Sequence, residues 1–395
     1  MSSKKYNALG SSLLLPRYLL PGFYFTGDTS IFSATTGSAD PLRWHRWAAG
    51  ATYRLDAAHL GYFGQYSYQR YRPIFGMSMN DYAADFGSLT FARGDGTSYN
   101  VHYFEERRGV TGSVTVPVKR HAFSTAYFYE DRFPQTNFTS GEIAGLALAG
   151  VDVDPGIFAG ARVAYAYADP ELYPASISLE NGRRVRMLTS ISDKVLGSNE
   201  ENEQIIFSGD WREYVRLGGH HVLGLRASGG MTWGDQLLQG TFGMGGALGE
   251  GLLAGPPSLF YFPLRGLPVS ALSRTRAMLL SSEYRIPLLS PQRGLGTTPF
   301  YVKNIHGSLF ADYGDAWNAN NVKKGAFTDF FDDFFLGVGA ELRGDFIVGH
   351  GLPLMGRLGY GIIVLNRDRL GTFQDDLTKR PAKYGVAILQ FGTSF

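Results

Sequence analysis

Apolar and polar residues alternate along most of this sequence, with a repeat of two residues. Within Val110–Val118 the even positions are valine or glycine, and the odd positions are polar or proline. In 204–217 one face carries Ile205, Phe207, Trp211, Val215 and Leu217, with Gly209 between them and Glu213 as the polar exception. Successive side chains of a β-strand point to opposite sides, so this repeat predicts strands with one apolar and one polar face. No segment has convincing helical spacing.

The repeat and the turn signals together define the predicted strands. These are residues 22–34, 43–55, 57–70, 72–82, 85–93, 101–118, 120–133, 141–153, 157–169, 203–217, 220–236, 271–288, 301–317, 333–347, 353–366 and 383–395. Two folds accept strands of this kind. One is an antiparallel sandwich with one face in a core, and the other is a membrane barrel with apolar side chains outside.

The connections between the strands favour the barrel. Short links are expected at Asp56, Lys119, 154–156, 218–219 and 349–351, with long polar connections between them. Transmembrane barrels have tight periplasmic turns and long extracellular loops, whereas a sandwich has no reason to sort its connections by length. We therefore predict an all-β fold, a transmembrane antiparallel β-barrel of about sixteen strands. It would occupy residues 22–395, with a periplasmic lead-in at residues 1–21.

Composition excludes several classes of function. In 395 residues, 37 Lys and Arg balance 35 Asp and Glu, so there is no basic excess for a nucleic-acid partner. The absence of cysteine excludes disulfides and thiolate chemistry. The most apolar opening segment is broken by Pro16, Arg17 and Pro21, so no membrane-spanning helix is predicted. The first ten residues lack the apolar core of a signal peptide, so none is expected.

The last predicted strand ends on an aromatic residue. Ala387, Leu389, Phe391 and Phe395 form its outward apolar face. This ending resembles the terminal aromatic signal that outer-membrane proteins present to their assembly machinery. We therefore interpret Phe395 as an assembly signal and place the protein in the bacterial outer membrane.

Three motifs in the second half resemble the BamA superfamily of assembly and translocation barrels. They are FPLRGL at 262–267, SEYRIPL at 282–288 and FADYGDAW at 310–317. In that family an Arg-Gly pair forms the tip of an inward-folded sixth extracellular loop, usually as Val-Arg-Gly followed by an aromatic. Leu264 and Leu267 depart from this pattern. The resemblance covers about residues 237–395, and the opening residues also resemble barrels fused behind TolB-like propeller domains.

The phase of the strands brings the motif residues together. Apolar residues of 271–288 point one way, which leaves Glu283 in the lumen, and the same phase places Asp312 and Gly314 inside. Two neighbouring carboxylates repel unless a cation lies between them, and Arg265, followed by Gly266, offers a planar guanidinium to both. We therefore predict a latch between loop and lumen. The alternatives are that the acids line a hydrated pore and that Arg265 is a solvated loop residue.

Gly392 matches a glycine in the last strand of the family, where it permits a bend. A bend would weaken pairing with the first strand, and the barrel could then open sideways for other chains. The alternative is a small residue beneath a crowded neighbour.

No catalytic motif and no cofactor motif occurs, so no enzyme is expected. Loop acids could bind a divalent cation, but a solvated loop face is the favoured interpretation, and no metal site is predicted. These acids are Asp329, Asp332, Asp333, Asp375 and Asp376.

The first functional hypothesis is a noncatalytic barrel that acts in protein insertion or translocation. The alternatives are a passive porin and a membrane anchor for a periplasmic or surface partner. Expected partners are the lipid bilayer, lipopolysaccharide and client proteins, and the barrel is expected to be monomeric. The family usually carries periplasmic POTRA domains, and this sequence contains none.

Overall fold

The computed structural model of the chain is a closed antiparallel β-barrel. It describes residues 7, 13–26, 29–92, 98–135, 154–173, 175–247, 260–294, 296–318, 330–349, 351–371, 373–374 and 378–393. In those residues, sixteen strands form the wall. They are β1 Tyr18–Thr26, β2 Thr29–Ala39, β3 His45–Arg54, β4 His59–Tyr68, β5 Ile74–Ala92, β6 Ser98–Val118, β7 His121–Pro134, β8 Gly156–Ala168, β9 Gly182–Ser192, β10 Gln204–Gly218, β11 His221–Gly234, β15 Arg276–Leu289, β17 Phe300–Trp317, β18 Phe335–Val348, β19 Leu352–Leu365 and β20 Val386–Thr393.

The remaining elements are short. β12 Phe242–Met244, β13 Tyr261–Phe262 and β14 Leu272–Arg274 form a separate three-stranded sheet within the connection from β11 to β15. β16 Arg293–Gly294 pairs with β17. Short 3₁₀ helices lie at Lys194–Leu196, Leu238–Gly240, Arg367–Leu370 and Ala382–Tyr384. No helix in the described part of the chain is long and apolar enough to cross a membrane.

The wall has an apolar outer face and a polar inner face. Leu280 and Leu309 are exposed on the outside, whereas Glu283 and Asp312 on the other face are buried. An apolar exterior around a polar interior is the arrangement of a barrel surrounded by lipid, and barrels of this kind are outer-membrane proteins. The predicted fold class and strand number are therefore confirmed.

Several predicted boundaries were wrong. The single strand expected at 22–34 is the hairpin of β1 and β2, and the pair expected at 72–82 and 85–93 is the one strand β5. The long connection expected at 170–202 contains β9. The sequence-based assignment thus missed two strands, one in the β1–β2 hairpin and β9, and divided one strand, β5, into two. The strand expected at 141–153 lies outside the described residues.

Because successive strands run in opposite directions, the connections lie alternately at the two ends of the barrel. We call the end where β1 begins and β20 finishes the terminal end, and the opposite end, which includes the connection from β11 to β15, the loop end. The expected alternation of short and long connections holds only in part. The short β3–β4 link at residues 55–58 lies at the loop end, and the β8–β9 connection at residues 169–181 of the terminal end is longer than the β9–β10 connection at residues 193–203 of the loop end.

Candidate functional site

Arg265 lies among carboxylates on the inner face of the wall. Its Nε donates to Asp312 Oδ2 at 2.7 Å and its Nη2 to Oδ1 at 2.7 Å, so the guanidinium and the carboxylate form a two-point pair. The backbone N–H of Arg265 also donates to Oδ2, at 3.0 Å. Arg265 is 6% exposed and Asp312 is 0% exposed. Charge-assisted pairs with this geometry are among the strongest hydrogen bonds in proteins.

Two further acids complete the surroundings of the guanidinium. Nη1 of Arg265 lies 2.6 Å from Glu283 Oε2 and 3.5 Å from Glu341 Oε1. The ring of Phe310 lies beneath the guanidinium, with its centroid 3.9 Å from Cζ. The structure thus brings Arg265 together with Glu283 and Asp312, as the motifs suggest, and adds Glu341, which the sequence analysis missed. The alternation of apolar and polar residues along β18 places Glu341 on the inner face, and this pattern could have identified it.

More arginines surround these acids. Arg285 Nε lies 2.8 Å from Glu283 Oε1, Arg343 Nη2 lies 2.6 Å from Glu341 Oε2, and Arg357 Nε donates to the same oxygen at 2.8 Å. We call the whole group the C-terminal wall cluster: Arg265, Glu283, Arg285, Asp312, Glu341, Arg343 and Arg357. Its charges alternate in space, and this allows so many ionised groups to be buried together.

Glycines allow the backbone around Arg265 to approach the wall. Gly266 has a φ of +105°, which favours glycine, and a Cβ there would lie 3.0 Å from the Ile362 carbonyl carbon. A Cβ on Gly337 would overlap the Arg265 carbonyl oxygen. Gly314 has a different place, because its Cβ would lie 2.5 Å from the Met278 carbonyl oxygen between β15 and β17. Gly314 therefore allows strand packing rather than contact with Arg265.

The two residues that depart from the family pattern are both fully buried. Leu264 and Leu267 are each 0% exposed and belong to one apolar core. That core also contains Phe242, Met244, Phe262, Leu272, Ala277, Leu279, Ala316, Phe335, Ile363 and Leu370. Leucine at these positions thus supplies buried apolar surface, which stabilises the segment around Arg265 against the wall.

The same connection contacts a second charge cluster, on the N-terminal strands. Nε2 of Gln239 donates to Glu105 Oε2 at 2.6 Å, and Glu105 also accepts from Arg107 Nε at 2.9 Å. Glu130 lies 2.8 Å from Arg132 Nη2 and 2.7 Å from Arg162 Nη2. We call Glu105, Arg107, Glu130, Arg132 and Arg162 the N-terminal wall cluster. The sequence analysis missed it, because nothing local links residue 239 to residue 105.

Apolar contacts reinforce the second cluster. Leu237 forms a buried core with Phe128 and Phe158, and these two rings lie 3.8 Å from the guanidinium carbons of Arg162 and Arg132. Glu105 is on the sixth strand around the barrel and Asp312 is on the thirteenth. The described parts of the β11–β15 connection therefore contact two well-separated regions of the wall. Residues 248–259 lie outside the described residues, so inward folding of the whole loop stays a prediction.

The pairing between β1 and β20 closes the barrel and is short. In the described residues it comprises three register pairs, Tyr24 with Gly392, Phe25 with Phe391 and Thr26 with Gln390. The next shortest pairing in the wall, between β4 and β5, comprises seven. We call this contact the seam.

Gly392 lies within the seam. Its φ is not positive, and a Cβ on it would lie 2.7 Å from the Phe23 carbonyl oxygen. The space around Gly392 thus fits the alternative of a small residue beneath a crowded neighbour. Phe395, the expected assembly signal, lies outside the described residues.

Two other acidic groups lie partly or wholly in the described residues. Of the expected loop acids, Asp332 and Asp333 are described, and Arg369 donates to the backbone carbonyl of Asp333. A buried group that sequence reasoning missed, His59, Asp81 and Glu106, has ligand atoms within 4.8 Å of one another. Arg108 pairs with both acids of this group, with its Nε 2.9 Å from Asp81 Oδ2. A guanidinium thus supplies the positive charge at this point.

This chain resembles known proteins in structure, although comparisons of its sequence found no match. No protein-family model matches it, and no curated protein matches it. The structure of BamA from Haemophilus ducreyi lacking POTRA domains 1–3 is similar, with a TM-score of 0.61 and 13% identity. The match covers 96% of this chain and 70% of that one.

Two CdiB structures are also similar. CdiB from Escherichia coli has a TM-score of 0.56 and 10% identity, and the match covers 96% of this chain and 64% of that one. CdiB from Acinetobacter baumannii has a TM-score of 0.54 and 13% identity, with 95% and 59% covered. This chain therefore spans less than two thirds of either CdiB chain. At such low identity, the likeness establishes that this chain has a sixteen-stranded barrel fold of the BamA and CdiB type.

Proposed function

We propose that this protein is a noncatalytic outer-membrane barrel that assists other polypeptides to insert into, or pass across, the outer membrane, with the seam as their route. The observation that carries the proposal is the three-pair seam in an otherwise extensively paired wall. Each lost pair removes backbone hydrogen bonds, so the seam is the place where sideways opening costs least.

The two seam strands also offer edges to an incoming strand. In the described residues, Tyr18–Gly22 of β1 and Val386–Leu389 of β20 have no register partner across the seam, and the Phe23 carbonyl oxygen accepts from Thr393 Oγ1 at 3.3 Å. A strand edge with unused N–H and C=O groups can pair with another chain. A client segment that pairs there would exchange water for backbone hydrogen bonds as it enters the bilayer. The edges therefore suit a client that forms β-structure.

The β11–β15 connection supports a plugged barrel rather than a passive porin. In this proposal it is the inward-folded sixth extracellular loop, and Arg265 with Gly266 forms its tip. Its contacts with the C-terminal and N-terminal wall clusters hold it across the lumen. The terminal end then faces the periplasm, where further domains of the natural protein, such as POTRA or propeller domains, would act. Lipopolysaccharide surrounds the loop end, and one barrel is the working unit.

A reversible lock on the seam tests this function. The chain has no cysteine, so Phe25→Cys with Phe391→Cys introduces one disulfide between directly paired residues. The assay follows folding of a urea-unfolded eight-stranded outer-membrane barrel into liposomes that contain this protein. We expect acceleration by the reduced variant and its loss on oxidation.

A second disulfide serves as the matched control. Phe32→Cys with Tyr53→Cys joins β2 to β3, away from the seam, and leaves the seam free to open. This control should accelerate folding whether oxidised or reduced. Undiminished acceleration by the oxidised seam variant would contradict the seam as the client route.

A further inference from the structure

One part of the terminal end combines exposed arginines with exposed apolar side chains. Arg17 precedes β1, Arg43 lies between β2 and β3, and Arg70 and Arg72 lie between β4 and β5, all of them exposed. Exposed Leu14, Leu15, Leu42 and Tyr71 lie among them in sequence. We call these eight residues the basic rim patch.

Register and hydrogen bonds hold the basic rim patch together. The Arg17 N–H donates to the Gly37 carbonyl oxygen at 2.9 Å. The Gln69 N–H donates to the Trp44 carbonyl oxygen at 2.7 Å, which joins the β2–β3 and β4–β5 connections. Arg70 lies over the Trp44 ring, with 4.5 Å between Cζ and the ring centroid. The arginines are thus held on one side of the barrel rather than scattered around it.

These arginines lack acidic partners. Across the described residues, no carboxylate forms an ion pair with Arg17, Arg43, Arg70 or Arg72. Arg54, on β3 at the loop end, is different, because it pairs with Asp56 at 2.8 Å and with Asp85 at 2.6 Å. The patch therefore presents four uncompensated positive charges to an external anion.

The position of the patch matches the head groups of a bilayer. Exposed Phe75, Met77 and Met79 on β5 form part of the lipid-facing band. Arg72 is three residues from Phe75, a distance of at most about 10 Å along the chain. The polar region on each side of a bilayer is several ångströms deep, so these cations reach the depth of the phosphates.

Aromatic residues lie between the lipid-facing apolar band and the arginines of the basic rim patch. His45 Nδ1 and the Tyr66 hydroxyl are 2.6 Å apart, and the ring centroids of His45 and Tyr68 are 4.9 Å apart. Tyr71 lies beyond, with its ring centroid 6.0 Å from that of Tyr68. Apolar, aromatic and cationic layers in this order are typical of a protein surface that crosses from hydrocarbon to head groups.

We propose that the basic rim patch is a binding site for anionic phospholipid, with the phosphate among the arginines and the acyl chains along the lipid-facing side of β4 and β5. The exposed leucines favour lipid over an acidic protein, because the patch continues directly into the apolar band. The inference rests on the membrane barrel and is independent of the proposed passage of clients.

Lipid binding by the purified full chain tests the proposal. The barrel is placed in nanodiscs that contain phosphatidylglycerol and phosphatidylcholine, and the lipids retained after release into detergent are counted by native mass spectrometry. Each cation near an anionic surface contributes about 1 kcal/mol, a factor of about five. We expect selective retention of phosphatidylglycerol, and at least a tenfold loss of this selectivity when Arg17, Arg43, Arg70 and Arg72 are all changed to glutamine.

A control removes the same number of charges elsewhere. Lys194, Arg367, Arg380 and Lys383 are exposed at the loop end, and their replacement by glutamine should leave the selectivity intact. The mobility of unheated samples in gels checks that both variants remain folded barrels. Equal retention of both lipids by the wild-type chain, or equal losses in the two variants, would overturn the proposal. A patch that captures acidic proteins without lipid selectivity would overturn it as well. The seam-lock assay can still give its expected result in each of these cases. Failure of the lipid-binding proposal is therefore distinguishable from failure of the proposed passage of clients through the seam.

Discussion

The two wall clusters hold the same connection in different ways. At the C-terminal wall cluster, the connection supplies the cation itself, Arg265. In the described residues Asp312 pairs with Arg265 alone, whereas Glu283 and Glu341 also pair with other arginines of the cluster. At the N-terminal wall cluster it supplies only the neutral amide of Gln239, to a carboxylate that Arg107 already neutralises. Removal of the connection would leave Asp312 buried without its cation at the first cluster. At the second cluster it would remove one hydrogen bond and the packing of Leu237 on Phe128 and Phe158. The comparison predicts that the first cluster dominates.

Arg265→Ala should have the largest effect. It leaves the buried carboxylate of Asp312 without its cation, whereas Glu283 and Glu341 keep other arginine partners. Breaking a buried ion pair from one side costs about 3–5 kcal/mol. We expect at least a hundredfold faster protease cutting between residues 240 and 270, measured on the folded barrel. Arg367→Ala, an exposed arginine of the loop end, is the control and should cut at the wild-type rate. An unchanged digestion pattern in Arg265→Ala would count heavily against the latch.

Asp312→Asn should have a smaller effect than Arg265→Ala. The amide keeps the size of the side chain and one acceptor oxygen, while Arg265 retains Glu283 and Glu341 nearby. Loss of a hydrogen bond to a charged group costs about 1.5–3 kcal/mol, so cutting should be intermediate. The same digestion assay ranks the two variants. A stronger effect of Asp312→Asn would place the dominant interaction at the acid.

Gln239→Ala should have the smallest effect of the three. Glu105 keeps its pair with Arg107, and Leu237 still packs on Phe128 and Phe158. We expect a loss of about 1 kcal/mol in the stability of the closed loop, measured by hydrogen exchange of residues 235–245. If hydrogen-exchange protection fell as far as in Arg265→Ala, the two clusters would contribute equally to holding the connection, and the comparison would be wrong.

The double variant Arg265→Ala with Gln239→Ala sharpens the comparison further. The two side chains share no partner, so their effects on loop opening should add to within about 0.5 kcal/mol. The sum is read from the opening free energies obtained by hydrogen exchange. Strong coupling would mean that the connection opens as one unit from both walls.

The period of two predicted the barrel because it follows directly from the geometry of a wall with lipid on one side. It failed where local sequence breaks that geometry. Only Gly27 and Asp28 separate β1 from β2, and a pair this short was passed over as part of one strand. In β5 the alternation lapses near residues 83–84, where a strand end was predicted, and the strand instead continues through a shift of register between Asp85 and Ser88.

β9 was missed for a different reason. Arg183, Arg184 and Arg186 make its sequence as polar as a loop. A barrel tolerates charged residues on the inner face of a strand. The sequence alone therefore does not distinguish a polar strand of the wall from a polar connection.

The candidate site could be predicted only where motif and strand neighbourhood coincide. Glu283 and Asp312 lie on adjacent strands with known phase, and the Arg-Gly motif named their partner. Glu341 needed the order of the strands around the barrel. Gln239 contacts Glu105 across 134 positions of sequence, and only the closed barrel brings them together.

Single-channel conductance of the purified barrel in a planar bilayer measures whether the lumen is obstructed by a connection bound to both walls. We expect small, flickering openings for the wild-type chain and large, steady ones for the double variant Arg265→Ala with Gln239→Ala. Large and steady openings in the wild-type chain, unchanged in the double variant, would contradict this expectation and identify a passive pore.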